Sequence, residues 1–203
     1  MVSAAQIVEL HDRQTRAWHE TPDGAEVPQG AWLLAVDRQH RANFDLWHVE
    51  DEARTPGVTD ATLADVKHRI DKTNQLRNDL AEQLDTFLLA WLEPQALPDA
   101  TAPLNSESPG LIIDRLSILA LKIFHTREEA DRTDAPDGHA ERNRDRLAIL
   151  EAQRADLAGC LDVLWRETLA GTRQFKLYRQ MKMYNDPALN PAIYRNLRGQ
   201  TTP

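Results

Sequence analysis

The heaviest constraint on this chain is a long apolar seam broken by arginine. Leu63, Val66, Ile70, Thr73, Arg77, Leu80, Leu84, Phe87 and Trp91 recur at steps of three and four. That spacing puts them on one stripe of a helix, and such a stripe faces a partner. Thr73 and Arg77 interrupt it in mid-helix. A second seam runs Leu147, Leu150, Arg154, Leu157, Leu161 and Leu164, again with an arginine inside it. A charge turned into an apolar interior is costly unless it is paired and hydrogen-bonded. Each arginine therefore needs a carboxylate of this chain or an anionic ligand, and spacing alone leaves both open.

The rest of the chain also reads as helix. Helices are expected over 2–19, 32–54, 60–92, 109–132, 140–169 and 173–183, with Thr59 or Asp60 capping the third. Breakers separate them: the loop at 21–30, Pro56-Gly57, a turn at 134–138 and Gly171. Pro94, Pro98 and Pro103 enforce a connector of about a dozen residues. Ser108-Pro109 then combines a capping hydroxyl with a first-turn proline. The expectation is an all-α fold, an antiparallel bundle of roughly four to six helices with a long proline-rich connector. It forms one domain over 1–203, with an N-terminal helix and loop at 1–29 and an irregular tail at 185–203.

Composition narrows the function classes. The net charge of -8 argues against a nucleic-acid surface, which needs clustered basic charge. No apolar run reaches the roughly 20 residues of a membrane span, and 1–18 lacks a signal-peptide core. A cytoplasmic address is the simplest expectation. The single Cys160 excludes an internal disulfide. Beside Leu157 and Leu161 it reads as a small core residue.

Polar residues on apolar faces mark the candidate site. On the second helix His40, Asn43 and Asp51 project into the stripe of Leu33, Val36, Phe44 and Trp47, with His48 at its margin. Asp51 is thus a candidate partner for Arg77 or Arg154. Asp71, Asn74 and Asn78 stack on the third helix and could orient a ligand or face solvent. The fourth helix is apolar nearly all round, which makes it central. Asp114, Arg115, Lys122 and His125 nevertheless fall within about 100° of arc. Asp114 and His125 lie about 16 Å apart along the axis, so they cannot touch but could line one groove.

Metal spacing is poor. His48, Glu50, Asp51 and His125 offer suitable atoms, but the His48–Asp51 step has no second paired motif to answer it, and no metal is assigned. Asp79 and Glu82 make a lone acidic step. The loop at 105–110 could receive an anion at a helix N-terminus or simply cap it. The basic, aromatic stretch at 175–187 could close over an anionic ligand or pack through Leu177, Met181 and Tyr184. No phosphate loop, nucleophile elbow or dinucleotide fingerprint is present. The cofactor is unknown.

Four strings carry a resemblance: Asn43 to Arg54 (NFDLWHVEDEAR), Arg69 to Asp79 (RIDKTNQLRND), Pro103 to Gly110 with Ile113 to Leu119 (PLNSESPG, IDRLSIL), and Tyr178 to Pro187 (YRQMKMYNDP). In this order they resemble a bacterial family catalogued as a domain of unknown function, number 4254, from about residue 30 to 191. The resemblance implies a free-standing bacterial protein of this size and brings no activity, substrate or catalytic residues with it.

Two functions fit the residues. In one, Arg77, Arg154, Asn74, Asn78 and Lys122 hold an anionic metabolite such as a sugar phosphate or nucleotide sugar. His48 and His125 then move protons, with Asp51 and Asp114 balancing them, as a catalytic group. In the other, the seam polar residues are internal ion pairs of a helical interaction protein. Its working surface would be a homodimer face carrying Trp18, Trp32 or Trp165, while Trp47 and Trp91 sit in the core.

Overall fold

A computed structural model describes residues 2–21, 25–181 and 188–191. Among them are the helices α1 (Ala4–Glu20), α2 (Ala31–Glu52), α3 (Asp60–Leu92), α4 (Pro109–Asp131) and α5 (His139–Leu169). Three starts are set by local chemistry. The hydroxyls of Ser3, Thr59 and Ser108 accept from the backbone N–H groups of Gln6, Thr62 and Leu111, and Pro109 fills the first turn of α4. Gly30 and Gly138 precede α2 and α5 with φ of 88° and 73°, a region open to residues lacking a Cβ.

The antiparallel alternation expected from sequence runs from α2 to α5: Glu52 pairs with Arg69, Asp85 with Ser108, and Arg127 with Glu151. α1 departs from it. His11 and Thr15 meet His40, Trp18 meets Phe44, and His19 meets His48, so positions on α1 and α2 climb together. The loop makes this possible by running back along α1, where the Gln14 amide donates to the Glu26 carbonyl at 3.0 Å. α4 climbs with α2 as well, Asp114 lying beside Gln39 and His125 beside Trp47. Three helices therefore run one way and two the other.

α4 packs against each of the other four helices, as its apolar circumference requires. The main core gathers Ile7, Leu10, Val36, Leu84, Leu88, Ile113, Leu116, Leu161 and Leu164. A smaller cluster joins Trp18, Phe44 and Leu121, with Trp47 beside it. Trp18, Trp32 and Trp165 are buried, at 6, 8 and 5% exposure, so none of them can carry the expected dimer face. Trp91 is half-buried and packs on Trp165 with ring centroids 5.7 Å apart.

Other expectations need correction. Cys160 is exposed rather than in the core, because neighbours cover only one side of α5. Residues 173–181 are not helical. Gly171 ends α5 at φ 69°, and Gln174 then pairs with the connector instead: its N–H bonds Pro103 O at 3.0 Å, and its carbonyl accepts from Asn105 N–H at 2.7 Å. Phe175 is buried by this return. Residues 182–183 of the expected helix and Tyr184 lie outside the described residues. No described helix is long and apolar enough to cross a membrane.

α3 and α4 meet closely at Gly110. A Cβ there would lie 2.3 Å from the Ala81 carbonyl oxygen and 2.9 Å from the Asp85 carboxylate. That oxygen belongs to a helix backbone and cannot step aside. Gly110→Ala is expected to cost about 2–3 kcal/mol by overpacking. The thermal midpoint should fall by about 5–10 °C. A midpoint within a degree of wild type would show that the helices separate freely.

Candidate functional site

A polar spine crosses the apolar interior where α1, α2, α3 and α4 meet. Asp114 is its centre. Its Oδ1 receives Gln39 Nε2 at 2.6 Å, Asn43 Nδ2 at 2.9 Å and Arg77 Nε at 2.8 Å, while Arg77 Nη2 donates to Oδ2. The Arg77 guanidinium is held above its ordinary pKa by these bonds to Asp114. Asn43 also donates to Ser117 Oγ at 2.9 Å. His40 continues the spine, with Nδ1 2.7 Å from Ser117 Oγ and Nε2 3.1 Å from the His11 carbonyl. A carbonyl only accepts, so the proton is on Nε2 and the Ser117 hydroxyl donates to Nδ1. Burial pushes His40 down to about 3, which keeps it neutral.

Above this spine lies a cleft of about 420 Å³ between α2, α3 and α4. Asn74 and Arg77 line it from α3, Ile118 and Leu121 from α4, and Asn43, Trp47, Glu50 and Asp51 from α2, with Arg54 just beyond. Arg77 Nη1 has no hydrogen-bond partner among the described residues, since the bonds to Asp114 use Nε and Nη2. A buried carboxylate thus fixes the guanidinium and leaves one end of it toward the cleft.

At the far end of the parallel helices stand His19 of α1, His48 of α2 and His125 of α4. One ring nitrogen of each lies within 4.8 Å of those of the other two. His19 stacks on Phe124 at 4.2 Å between ring centroids, and His125 on Trp47 at 4.9 Å. Burial lowers the His125 pKa, with Glu128 pulling the other way. These three side chains are the residues of the described chain whose atom types and spacing could hold a metal ion. Trp47 is the wall shared by this cluster and the cleft.

The residues singled out from sequence separate into several places. Asn74, Arg77 and Asp51 line one cleft; Asp51 is exposed, however, and neither in the apolar stripe nor the partner of either arginine. Asp114 stands behind Arg77 rather than in a groove with His125. Arg154 is bound to Asp12 of α1, its Nη1 donating at 2.7 and 2.9 Å to the two carboxylate oxygens, away from the cleft. Lys122 is exposed in a separate groove between α4 and α5, beside Arg115 and Cys160. Asn78 is half-buried on α3 and lines none of these clefts. His48 and His125 meet, as neighbours of the overlooked His19. His19, Gln39 and Ser117 are the residues that sequence reasoning missed. Only the recurrence of a histidine beside an aromatic residue, in Trp18-His19, Trp47-His48 and Phe124-His125, could have pointed to the cluster.

The chain matches the family described as "Protein of unknown function (DUF4254)" over residues 34–177. It belongs to that family. No curated protein and no solved structure matches it.

Proposed function

We infer that this family member binds a small polar metabolite carrying an anionic group, a sugar phosphate or nucleotide sugar, in the cleft between α2, α3 and α4. The observation that carries the reading is Arg77, anchored through Nε and Nη2 on buried Asp114, with Nη1 unpartnered among the described residues and beside Asn74. A guanidinium pre-oriented in this way binds phosphate or carboxylate oxygens at little cost in side-chain order. Trp47 and Ile118 offer the apolar wall, and Asp51 and Glu50 accept from hydroxyls. The mixed charges of the lining favour a ligand with both an anionic group and hydrogen-bond donors over a bare anion.

Thermal melting against hexose phosphates and nucleoside-diphosphate sugars tests this. A ligand at about a hundred times its Kd adds roughly 2.7 kcal/mol, a rise of about 5–10 °C. Asn74→Ala should weaken the active compound about tenfold and leave the ligand-free midpoint unchanged. The reading fails if no member of the panel raises the midpoint, or if Asn74→Ala and Asp51→Asn bind as wild type does.

A further inference from the structure

We propose that His19, His48 and His125 bind a first-row transition-metal dication of the zinc class, with one coordination position left open for water or a small ligand. The convergence of the three rings is the first observation, each offering a nitrogen within 4.8 Å of the other two.

The second is the state of the other nitrogens. His19 Nδ1 lies 2.7 Å from the Thr15 carbonyl oxygen, His48 Nδ1 2.8 Å from the Phe44 carbonyl oxygen, and His125 Nδ1 2.8 Å from Glu128 Oε2. Carbonyl and ionised carboxylate oxygens accept and do not donate, so every Nδ1 carries its proton. The nitrogen left to each neutral ring is Nε2, with its lone pair. Metal-bound histidines carry this same support on the far nitrogen, which sets tautomer and ring direction. Here the helices provide it: two of the acceptors are carbonyls four residues back on the histidine's own helix, and the third is a glutamate three residues on.

The third observation is that the Nε2 atoms of His19 and His125 are buried and have no hydrogen-bond partner among the described residues. A buried acceptor without a partner is destabilising, and lone pairs facing one another add repulsion. A bound cation removes both costs at once. Imidazole ligands without thiolate suit zinc, copper, nickel or cobalt rather than calcium or magnesium. Three protein ligands leave the fourth tetrahedral position open.

The geometry needs only a small adjustment. Nitrogens on a tetrahedral ion at about 2.0–2.1 Å stand roughly 3.3 Å apart. With the three nitrogens within 4.8 Å of one another, no pair would close by more than about 1.5 Å, within reach of small side-chain pivots. The Phe124 and Trp47 stacks limit the rings to such pivots.

The test uses the full chain without a histidine tag, stripped by chelator and titrated with cobalt(II) and then zinc(II). One equivalent of cobalt should give the intense visible absorption of a low-coordinate nitrogen site, and one equivalent of zinc should bleach it and raise the melting midpoint. His48→Gln and His125→Ala should each weaken binding at least about a hundredfold, and Glu128→Gln about tenfold through His125. His68→Gln, at an exposed position on α3, should change nothing. Circular dichroism establishes that each variant is folded. The proposal is overturned if the folded wild type takes up no stoichiometric metal, or if binding survives His48→Gln and His125→Ala undiminished. A cluster that only shares a proton or a water gives that first result. No organic ligand enters the titration, so its outcome is independent of the cleft reading.

Discussion

Arg77→Met is expected to lower the stability of the fold by about 3–5 kcal/mol, the usual result of stripping one partner from a buried ion pair. The asymmetry of the pair makes the prediction specific. Asp114 has 10% of its side chain exposed and Arg77 has 23%. Without the guanidinium, Asp114 keeps the amide donors of Gln39 and Asn43 but loses its countercharge. Without the carboxylate charge, Arg77 can still turn its free end to the cleft. Asp114→Asn should therefore cost less than Arg77→Met, about 1–3 kcal/mol. The double variant should recover much of the loss, because an amide at 114 needs no countercharge. Urea unfolding of the four proteins closes the cycle. An Arg77→Met variant within 1 kcal/mol of wild type would mean that solvent already neutralises Asp114. The same result explains why Asn74, rather than Arg77, is the residue to change when testing the cleft.

Much of this spine was legible in the chain. Arg77 was readable as inward-facing because the one charged residue in a three-four seam has one direction to point. Its partner was not, because pairing is decided by which helices cross at that height. Asp51 has the right periodicity but lies in the last turn of α2, where the stripe is open to solvent: Asp51 is exposed there, and Leu63 on α3 is also 46% exposed. Periodicity gives a face and says nothing of how far along the helix that face is covered. Cys160 failed for a different reason: it lies in mid-helix, next to the stripe of Leu157, Leu161 and Leu164 but on the uncovered side of α5. Caps at Thr59 and Ser108 were readable because capping involves residues two or three apart. The histidine cluster was hidden for the opposite reason. Its members lie on three helices with no shared local spacing, and antiparallel alternation would have placed the end of α1 at the wrong end of α2. Only the return of the loop along α1 brings His19 level with His48.

Acidification should unfold this protein earlier than its carboxylates alone would require. His11 and His40 are fully buried, with ring centroids 4.3 Å apart. Burial pushes His40 down to about 3. Burial, then His40 and Arg154, hold His11 well below the usual histidine range. The folded state thus refuses two protons that the unfolded chain accepts below about 6.5. The stability these rings leave intact is fully present above that pH and falls as pH drops toward 3, by about 3 kcal/mol per unit for the pair. Asp85 opposes one of them. Burial raises it to about 6, so between roughly 6 and 4 the folded state keeps a proton that the unfolded chain releases, and about half the slope is offset there. The steepest loss should therefore lie below about pH 4, where the Asp85 offset has ended and the two histidines act unopposed. His11→Leu isolates the cause, since neither His11 ring nitrogen has a hydrogen-bond partner among the described residues and an apolar side chain gives up nothing they supply. The variant should match wild type within about 1 kcal/mol at pH 7 and exceed it by roughly 2 kcal/mol at pH 5. Denaturant unfolding at both pH values decides the matter, because equal slopes in the two proteins would mean that His11 takes up its proton in the folded state and that its burial is not the source of acid lability.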